Sequence, residues 1–476
     1  MAPDNDYRTY QSERLTFWDA VARKSDQWRG LGGFYHRRLQ QIYRQLIPAG
    51  RRVLELGCGT GDLLAAVNPA CGIGVDFSEE MVARARKRHP SLSFLCADAH
   101  EIERQDPFDL IILSDIVNDL WDVQSVFERL RLLSHPRTRL IINCYSRLWE
   151  LPLGLTRRLG LAGPLLRQNW LTISDLRNLL SLAGFETLRE WQEILCPVRI
   201  PLIDRPMNRI LVRLWPLHHG ALVNMLVARP VPAHAAPRPS VSVIIPARNE
   251  EGNVRRILDE MPDFGAPAEL IFVEGNSRDR TFETIKEAIA THTIHACFLI
   301  KQQGKGKGDA VRRGFDQAQG DVLMILDADL TVRPGDLTRF RDALIGGKGE
   351  FINGVRLVYP RGKQAMRFFN LIGNKLFAVA FSWLLGQPLK DTLCGTKALW
   401  RSDYLLIQKN RAYFGDFDPF GDFDLLFGAA RLGLKIVDLP IRYHDRTYGT
   451  TNIRRWKHGW ILLRMVLFAA RKIKFI

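Results

Sequence analysis

The stretch RPVPAHAAPRPS, Arg229 to Ser240, divides this chain. It is rich in Pro and Ala and carries no apolar periodicity, which is linker composition. On both sides of it, apolar runs of strand length alternate with helical patterns. That alternation specifies α/β units with largely parallel sheets. At 476 residues the chain is too long for one core, so the division is physically required. The expectation is two doubly wound α/β domains at residues 1–230 and 240–476, joined by a linker at 231–239. The glycine patterns of the two halves differ, and no internal repeat is visible.

Composition narrows the class. Hydrophobic residues make up 46% and charged residues 25%, as in an ordinary folded chain. The seven cysteines are scattered and no C-x-x-C occurs, which fits a reducing cytosol rather than a disulfide scaffold or zinc ribbon. The polar N-terminus lacks the apolar stretch of a signal peptide. No apolar run reaches the roughly 20 residues of a spanning helix. The net charge of +16 suits nucleic acid, an anionic membrane surface or phosphorylated substrates.

In the first half, RRVLELGCGTGDLLAAV is an apolar strand, a glycine-rich turn and a helix start. Gly57, Gly59 and Gly61 let backbone N–H groups approach a ligand beside a helix N-terminus. The dinucleotide spacing G-x-G-x-x-G is absent. Further apolar strands end at Asp76, at Asp98-Ala99 and at Ser114-Asp115. In an open α/β fold these ends share one edge of the sheet, where ligands bind, and an acid placed like Asp76 accepts hydrogen bonds from ribose hydroxyls. With the later segment NWLTISDLRNLLSLAGFETL, the half resembles a class I S-adenosylmethionine-dependent methyltransferase over about residues 35–230. The resemblance implies a Rossmann-like fold. It implies that Glu55 and the Gly57–Gly61 turn hold the methionine part, Asp76 the ribose, and Asp98 with Ala99 the adenine side. It implies too that Ser114 and Asp115 would lie near the reacting methyl, and Asp115 and Asn118 are candidates to orient an acceptor. The acceptor is left open, as is a domain that binds the cofactor without methylating.

In the second half, VLMILDADL is an apolar strand closing on two like charges, Asp327 and Asp329. Side chains two apart on a strand point the same way, so these carboxylates repel unless a cation lies between them. The glycine-lysine loop Gly304–Gly308 does not fit a P-loop but suits a phosphate at a helix start. Together with IIPARNEEGN, EGNSRDRT, GKGDAVRRG, NGVR, DTLCGTKAL and GDFDLLFGAARLGLKIVDLPIRY, the half resembles a family 2 glycosyltransferase similar to polyprenyl-phosphate glycosyltransferases, over about residues 240–476. The resemblance implies a GT-A fold, a nucleotide-sugar donor and an inverting reaction. Pro246, Ala247, Glu250, Glu274, Ser277 and Lys307 would line the donor site, with Ala328 between the two metal-binding acids Asp327 and Asp329. Arg356 would face phosphate or the acceptor. Many relatives carry Asp-Asp-Gly-Ser where this chain has Glu274-Gly275-Asn276-Ser277, which leaves the nucleotide and sugar open. Mg²⁺ or Mn²⁺ would offset the charge of the departing diphosphate.

The acceptor decides whether a base is needed. A polyprenyl phosphate is already an anion; a sugar or protein hydroxyl needs a general base, for which Asp422, Asp424 and Asp391 are candidates. The closing segment RTYGTTNIRRWKHGWILLRMVLFAARKIKFI mixes Trp456 and Trp460 with arginines and lysines, as does an interfacial helix. MRFFNLIGNKLFAVAFSWLLG is similarly mixed. The expectation is a cytoplasmic enzyme lying peripherally on the inner face of the membrane. Nucleic acid explains the charge less well, since no recognition module is present and the basic residues cluster with aliphatic ones.

Overall fold

The computed structural model describes residues 5–24, 31–158, 166, 168–232, 238–304, 306–356, 368–411, 423–442, 444, 446, 448 and 455–474. The chain forms two compact units, Met1–Pro232 and Ala233–Ile476.

The first unit is built on β1 (Arg52–Leu56), β2 (Cys71–Asp76), β3 (Ser93–Cys96), β4 (Phe108–Ser114), β5 (Ser134–Tyr145), β6 (Phe185–Glu193) and β7 (Val223–Pro230). These pair in the order β3-β2-β1-β4-β5-β7-β6, with β7 antiparallel to both neighbours and the remaining pairs parallel. β1 is buried from Val53 onward, and β4 is apolar along most of its length, because helices cover both faces of the sheet. Local chemistry sets the helix starts. Ser78 Oγ accepts from Met81 N to cap the helix Glu79–Arg88, and Thr172 with Asp175 forms a reciprocal capping box on Ile173–Leu182.

The second unit uses β8 (Val241–Ala247), β9 (Ala268–Glu274), β10 (Ala296–Lys301), β11 (Val322–Ile325), β12 (Phe351–Val355), β13 (Lys397–Trp400) and β14 (Ile436–Pro440). Their order is β10-β9-β8-β11-β13-β12-β14, with β13 antiparallel to β11 and β12. Two doubly wound α/β units are therefore present.

Two expectations about boundaries change. β11 stops at Ile325, so Asp327 and Asp329 sit in the turn beyond it rather than on a strand; Leu330 there has φ of 52°. β3 likewise stops at Cys96, before Asp98 and Ala99. β7 runs to Pro230, and Arg229 is 1% exposed, its Nε 2.6 Å from Glu186 Oε1. Arg229→Ala should leave Glu186 without its cation and lower the unfolding free energy of the first unit by about 2–4 kcal/mol. Denaturant unfolding checks this, since a true linker residue would leave the midpoint unchanged.

Candidate active sites

In the first sheet β1 is flanked by β2 on one side and β4 on the other, so the chain leaves β1 and β4 at a switch point, where open α/β sheets bind ligands. The turn after β1 has positive φ at Gly57, Gly59 and Gly61 (66°, 50° and 75°). A Cβ on Gly57 would lie 2.8 Å from Ile116, whereas one on Gly59 would have no protein atom within 4 Å. The turn is thus packed on one side and open on the other. It borders a cavity of about 1670 Å³, which Glu55, Asp76, Asp98, Ala99, Ser114 and Asp115 also line.

The acids of this cavity are governed by burial. Glu55 is 2% exposed, its Oε2 has no hydrogen-bond partner, and desolvation pushes its carboxyl well above the usual range. Asp76 accepts from Gly59 N at 2.8 Å and Ser78 N at 3.0 Å, which pins the glycine turn to the end of β2; burial raises its carboxyl. Asp115, at φ 60°, accepts from Tyr35 Oη at 2.9 Å and from Asn143 Nδ2 at 2.6 Å. Burial still pushes it up to about 7. Asn118 does not line the cavity; its side-chain atoms are buried without partners.

Asp98 is engaged by its own chain. Tyr7 Oη (2.8 Å) and Gln11 Nε2 (2.6 Å) donate to one oxygen, and His100 N (2.8 Å) and Nδ1 (2.7 Å) meet the other. Burial opposes its charge, but the bonds from His100 and Tyr7 prevail and hold it at about 2. Tyr7 and Gln11 belong to the helix Asn5–Lys24, which also brings Tyr10, Arg14, Phe17 and Trp18 to the cavity wall. These wall residues were not singled out from the sequence. Their signal was the spacing Tyr7, Tyr10, Arg14, Phe17, Val21, one face of a helix. The orphaned Glu55 oxygen and the open glycine turn fit a group that presents a cation and a carboxylate, as the methionine part of S-adenosylmethionine does.

In the second sheet the switch point lies between β8 and β11, where Ile244 faces Ile325. Beyond β11, each acid has its own cation. Lys307 Nζ lies 2.6 Å from Asp327 Oδ1, and Arg446 Nη2 lies 2.6 Å from Asp329 Oδ2. Burial opposes the charge on Asp329, yet Thr331 and Arg446 hold its carboxyl below the usual range. Arg446 also lies 3.6 Å from Glu250, whose carboxyl burial raises to about 7. Across the sheet edge Ala247 pairs in register with Glu274. Pro246 precedes Ala247 on β8, and Glu274 Oε1 accepts from Ser277 N at 2.5 Å. Ser277 Oγ in turn accepts from Asn249 N at 3.0 Å. A Cβ on Gly395 would sit 2.1 Å from Lys307 Nζ and 2.2 Å from Asp327 Oδ2, so that loop's backbone presses on the pair.

Among the described residues no cluster of three or more His, Cys, Asp or Glu could hold a metal ion. Two hard carboxylates still fit Mg²⁺ or Mn²⁺, which takes one or two protein carboxylates and completes its shell with water and phosphate oxygens.

Arg356, which the motif implied would face phosphate or the acceptor, is paired with a buried acid. Its Nε and Nη2 donate to Asp391 at 2.8 and 2.9 Å, and Asp391 is 0% exposed. Asp391 thereby holds the end of β12. Asp424 lies at the start of the helix Phe423–Arg431, 3.7 Å from Arg312 and 3.5 Å from Arg411. Asp422 and Lys305 lie outside the described residues.

The model described as "Methyltransferase domain" matches residues 47–178, and that described as "Glycosyl transferase family 2" matches residues 242–402. The chain is 29% identical over 225 residues to glycosyltransferase AglJ of Haloferax volcanii, covering 47% of this chain and 69% of that one. It is 36% identical over 218 residues to the undecaprenyl-phosphate 4-deoxy-4-formamido-L-arabinose transferase of Pectobacterium carotovorum (44% and 62%). It is 34% identical over 220 residues to the dolichol-phosphate mannosyltransferase of Pyrococcus furiosus (45% and 59%). The last two similarities span about three-fifths of the relative's length.

Arg356→Ala should leave a buried unpaired carboxylate at Asp391 and cost about 3–5 kcal/mol of stability. Arg356→Lys should recover only part of it, because an ammonium cannot make the two parallel bonds. Thermal unfolding of the three proteins checks this.

Proposed function

We propose that this chain, which joins a methyltransferase domain to a family 2 glycosyltransferase domain, moves a sugar from a nucleotide donor to a polyprenyl phosphate at a membrane surface and moves a methyl group from S-adenosylmethionine to a second acceptor. The observation that carries the glycosyl half is the group Asp327, Asp329, Lys307 and Arg446 at the switch point of the second sheet.

In this reading Pro246, Ala247, Glu250, Glu274 and Ser277 border the nucleoside, and Asp327 and Asp329 hold Mg²⁺ or Mn²⁺. The metal, when bound, offsets the charge of the leaving diphosphate. Lys307, at the N-terminus of the helix Lys307–Gln317, adds positive charge beside it. A phosphate acceptor needs no base, and the names of two relatives, an undecaprenyl-phosphate and a dolichol-phosphate transferase, support that class. Two helices support the membrane contact. Phe368–Leu385 exposes Leu376, Val379 and Trp383, and Arg455–Ala469 exposes Trp460, Leu463 and Leu467. Each set has the i, i+3, i+7 spacing of one helix face. Among the described residues no helix is long and apolar enough to cross a membrane.

In the first unit Glu55 and the Gly57–Gly61 turn hold the methionine part and Asp76 the ribose. S-adenosylmethionine, when bound, supplies a sulfonium methyl group. Asp115, positioned by Tyr35 and Asn143, accepts the proton of the acceptor nucleophile.

Asp327→Ala and Asp329→Ala should each cut glycosyl transfer by about a hundredfold or more while methyl transfer continues. Labelled nucleotide sugars and labelled methyl donor, run in parallel, read both. Retained sugar transfer in both variants overturns the site. Methyl transfer should rise as pH increases through about 7, where Asp115 becomes ionised. Asp115→Asn should flatten that rise and slow transfer by about 10²–10⁴-fold; an unchanged pH profile removes Asp115 as the base.

A further inference from the structure

The wall of the first unit's cavity continues outward as exposed apolar chain. Trp149 and Leu153 line it from one segment, and Pro197 and Val198 from another. The segments are joined: Trp149 Nε1 donates to Gly220 O at 3.0 Å, and Ser146 N to Leu222 O at 2.7 Å. Past the cavity lip both turn their apolar residues to solvent. On the helix Glu150–Arg158, Leu151 is 84% exposed, with Leu155 one turn on and Leu148 just before the helix. Between residues 199 and 217, Leu202 is 91% and Trp215 80% exposed, with Ile203, Ile210 and Leu214 also open. Single exposed apolar residues are ordinary, but a concentration of them on two joined segments beside a cavity mouth marks an interaction surface.

Charge identifies the occupant. Arg147, Arg199 and Arg205 are exposed among these apolar residues. The one acid between residues 195 and 222, Asp204, is buried, and Glu150 is the one exposed acid on the 147–155 segment. Apolar residues interleaved with arginines that outnumber the exposed acid match the boundary of an anionic bilayer, where aliphatic side chains enter the acyl region and guanidinium groups meet lipid phosphate. A second copy of the same face would bring arginine against arginine. The cavity is also roomy: at about 1670 Å³ it exceeds the roughly 300–1,000 Å³ of common ligand pockets, leaving space beyond a methyl donor.

We propose that this face of the first unit docks on an anionic bilayer, and that the methyl acceptor is an amphiphile drawn from it, with its apolar part lying against Trp149, Leu153, Pro197 and Val198. The acceptor class rests on the methyltransferase reading of this unit; the docking does not.

Hydrogen exchange of the full chain, with and without mixed phosphatidylcholine–phosphatidylglycerol vesicles, tests the docking. Slowed exchange at residues 147–155 and 199–217 on adding vesicles is expected. Protection confined to residues 455–474, or none, overturns it. So does protection without vesicles accompanied by a dimer in sedimentation. The double variant Leu202→Asp, Trp215→Ser should bind vesicles at least about tenfold more weakly and should bind S-adenosylmethionine as the parent does by calorimetry; unchanged vesicle binding counts against the proposal. With labelled methyl donor and a whole-cell extract, label should enter the organic-extractable lipid fraction. Label only in water-soluble material overturns the acceptor class. If the parent chain fails to bind S-adenosylmethionine, the methyltransferase reading falls and the acceptor class with it, while the exchange result still decides the docking.

Discussion

In a parallel sheet all strands end on the same edge, and a strand with neighbours wound to opposite sides leaves a gap there. Both units of this chain depend on that constraint. In the first it separates the turn after β1 from the end of β4; in the second it separates the ends of β8 and β11. The apolar residues of β1, β4, β8 and β11 are buried, so these strands cannot shift register without exposing them. Glu55, Ser114 and Asp115 in the first site, and Pro246, Asp327 and Asp329 in the second, lie on or just beyond these four strands.

The two units handle the acids at those ends in opposite ways. In the first, carboxyls meet a low-polarity cavity: Glu55 and Asp115 are pushed up, and hydrogen bonds rather than cations hold Asp76 and Asp115 in place. Such a site favours proton acceptance near neutral pH. In the second, each acid of the Asp327–Asp329 turn has a cation at 2.6 Å. The difference matches the chemistry proposed for each, one handling a proton and the other a polyphosphate.

Strand ends were legible in the sequence because burial forces a continuous apolar run and the run stops where the ligand edge begins. Asp76, Ser114 and Glu274 were found at their strand ends that way. β3 and β11 were read too long: the Cys96 and Ile325 ends came before their acids, since a turn can continue an apolar run without continuing the ladder. What stayed hidden were partners distant in the chain. Nothing local in NGVR says that Arg356 is claimed by Asp391, 35 residues on. Nothing near Asp98 announces Tyr7 and Gln11, and nothing near Asp329 announces Arg446. Motifs record which side chains a site uses, whereas these contacts come from tertiary packing of elements without a motif. Arg229 and Pro230 show the same limit: they have loop composition but close a sheet.

The pairing of Lys307 with Asp327 and of Arg446 with Asp329 leaves that lip close to electrically neutral at rest. Under the proposed reading, a lone metal ion would have to displace an ammonium or guanidinium to reach either carboxylate, and a lone diphosphate would have to draw those cations off their acids. Arriving together, the two would satisfy all four groups by exchange of partners. A lip built this way would act as an ion exchanger with built-in cooperativity, favouring the metal–diphosphate complex over its separate components.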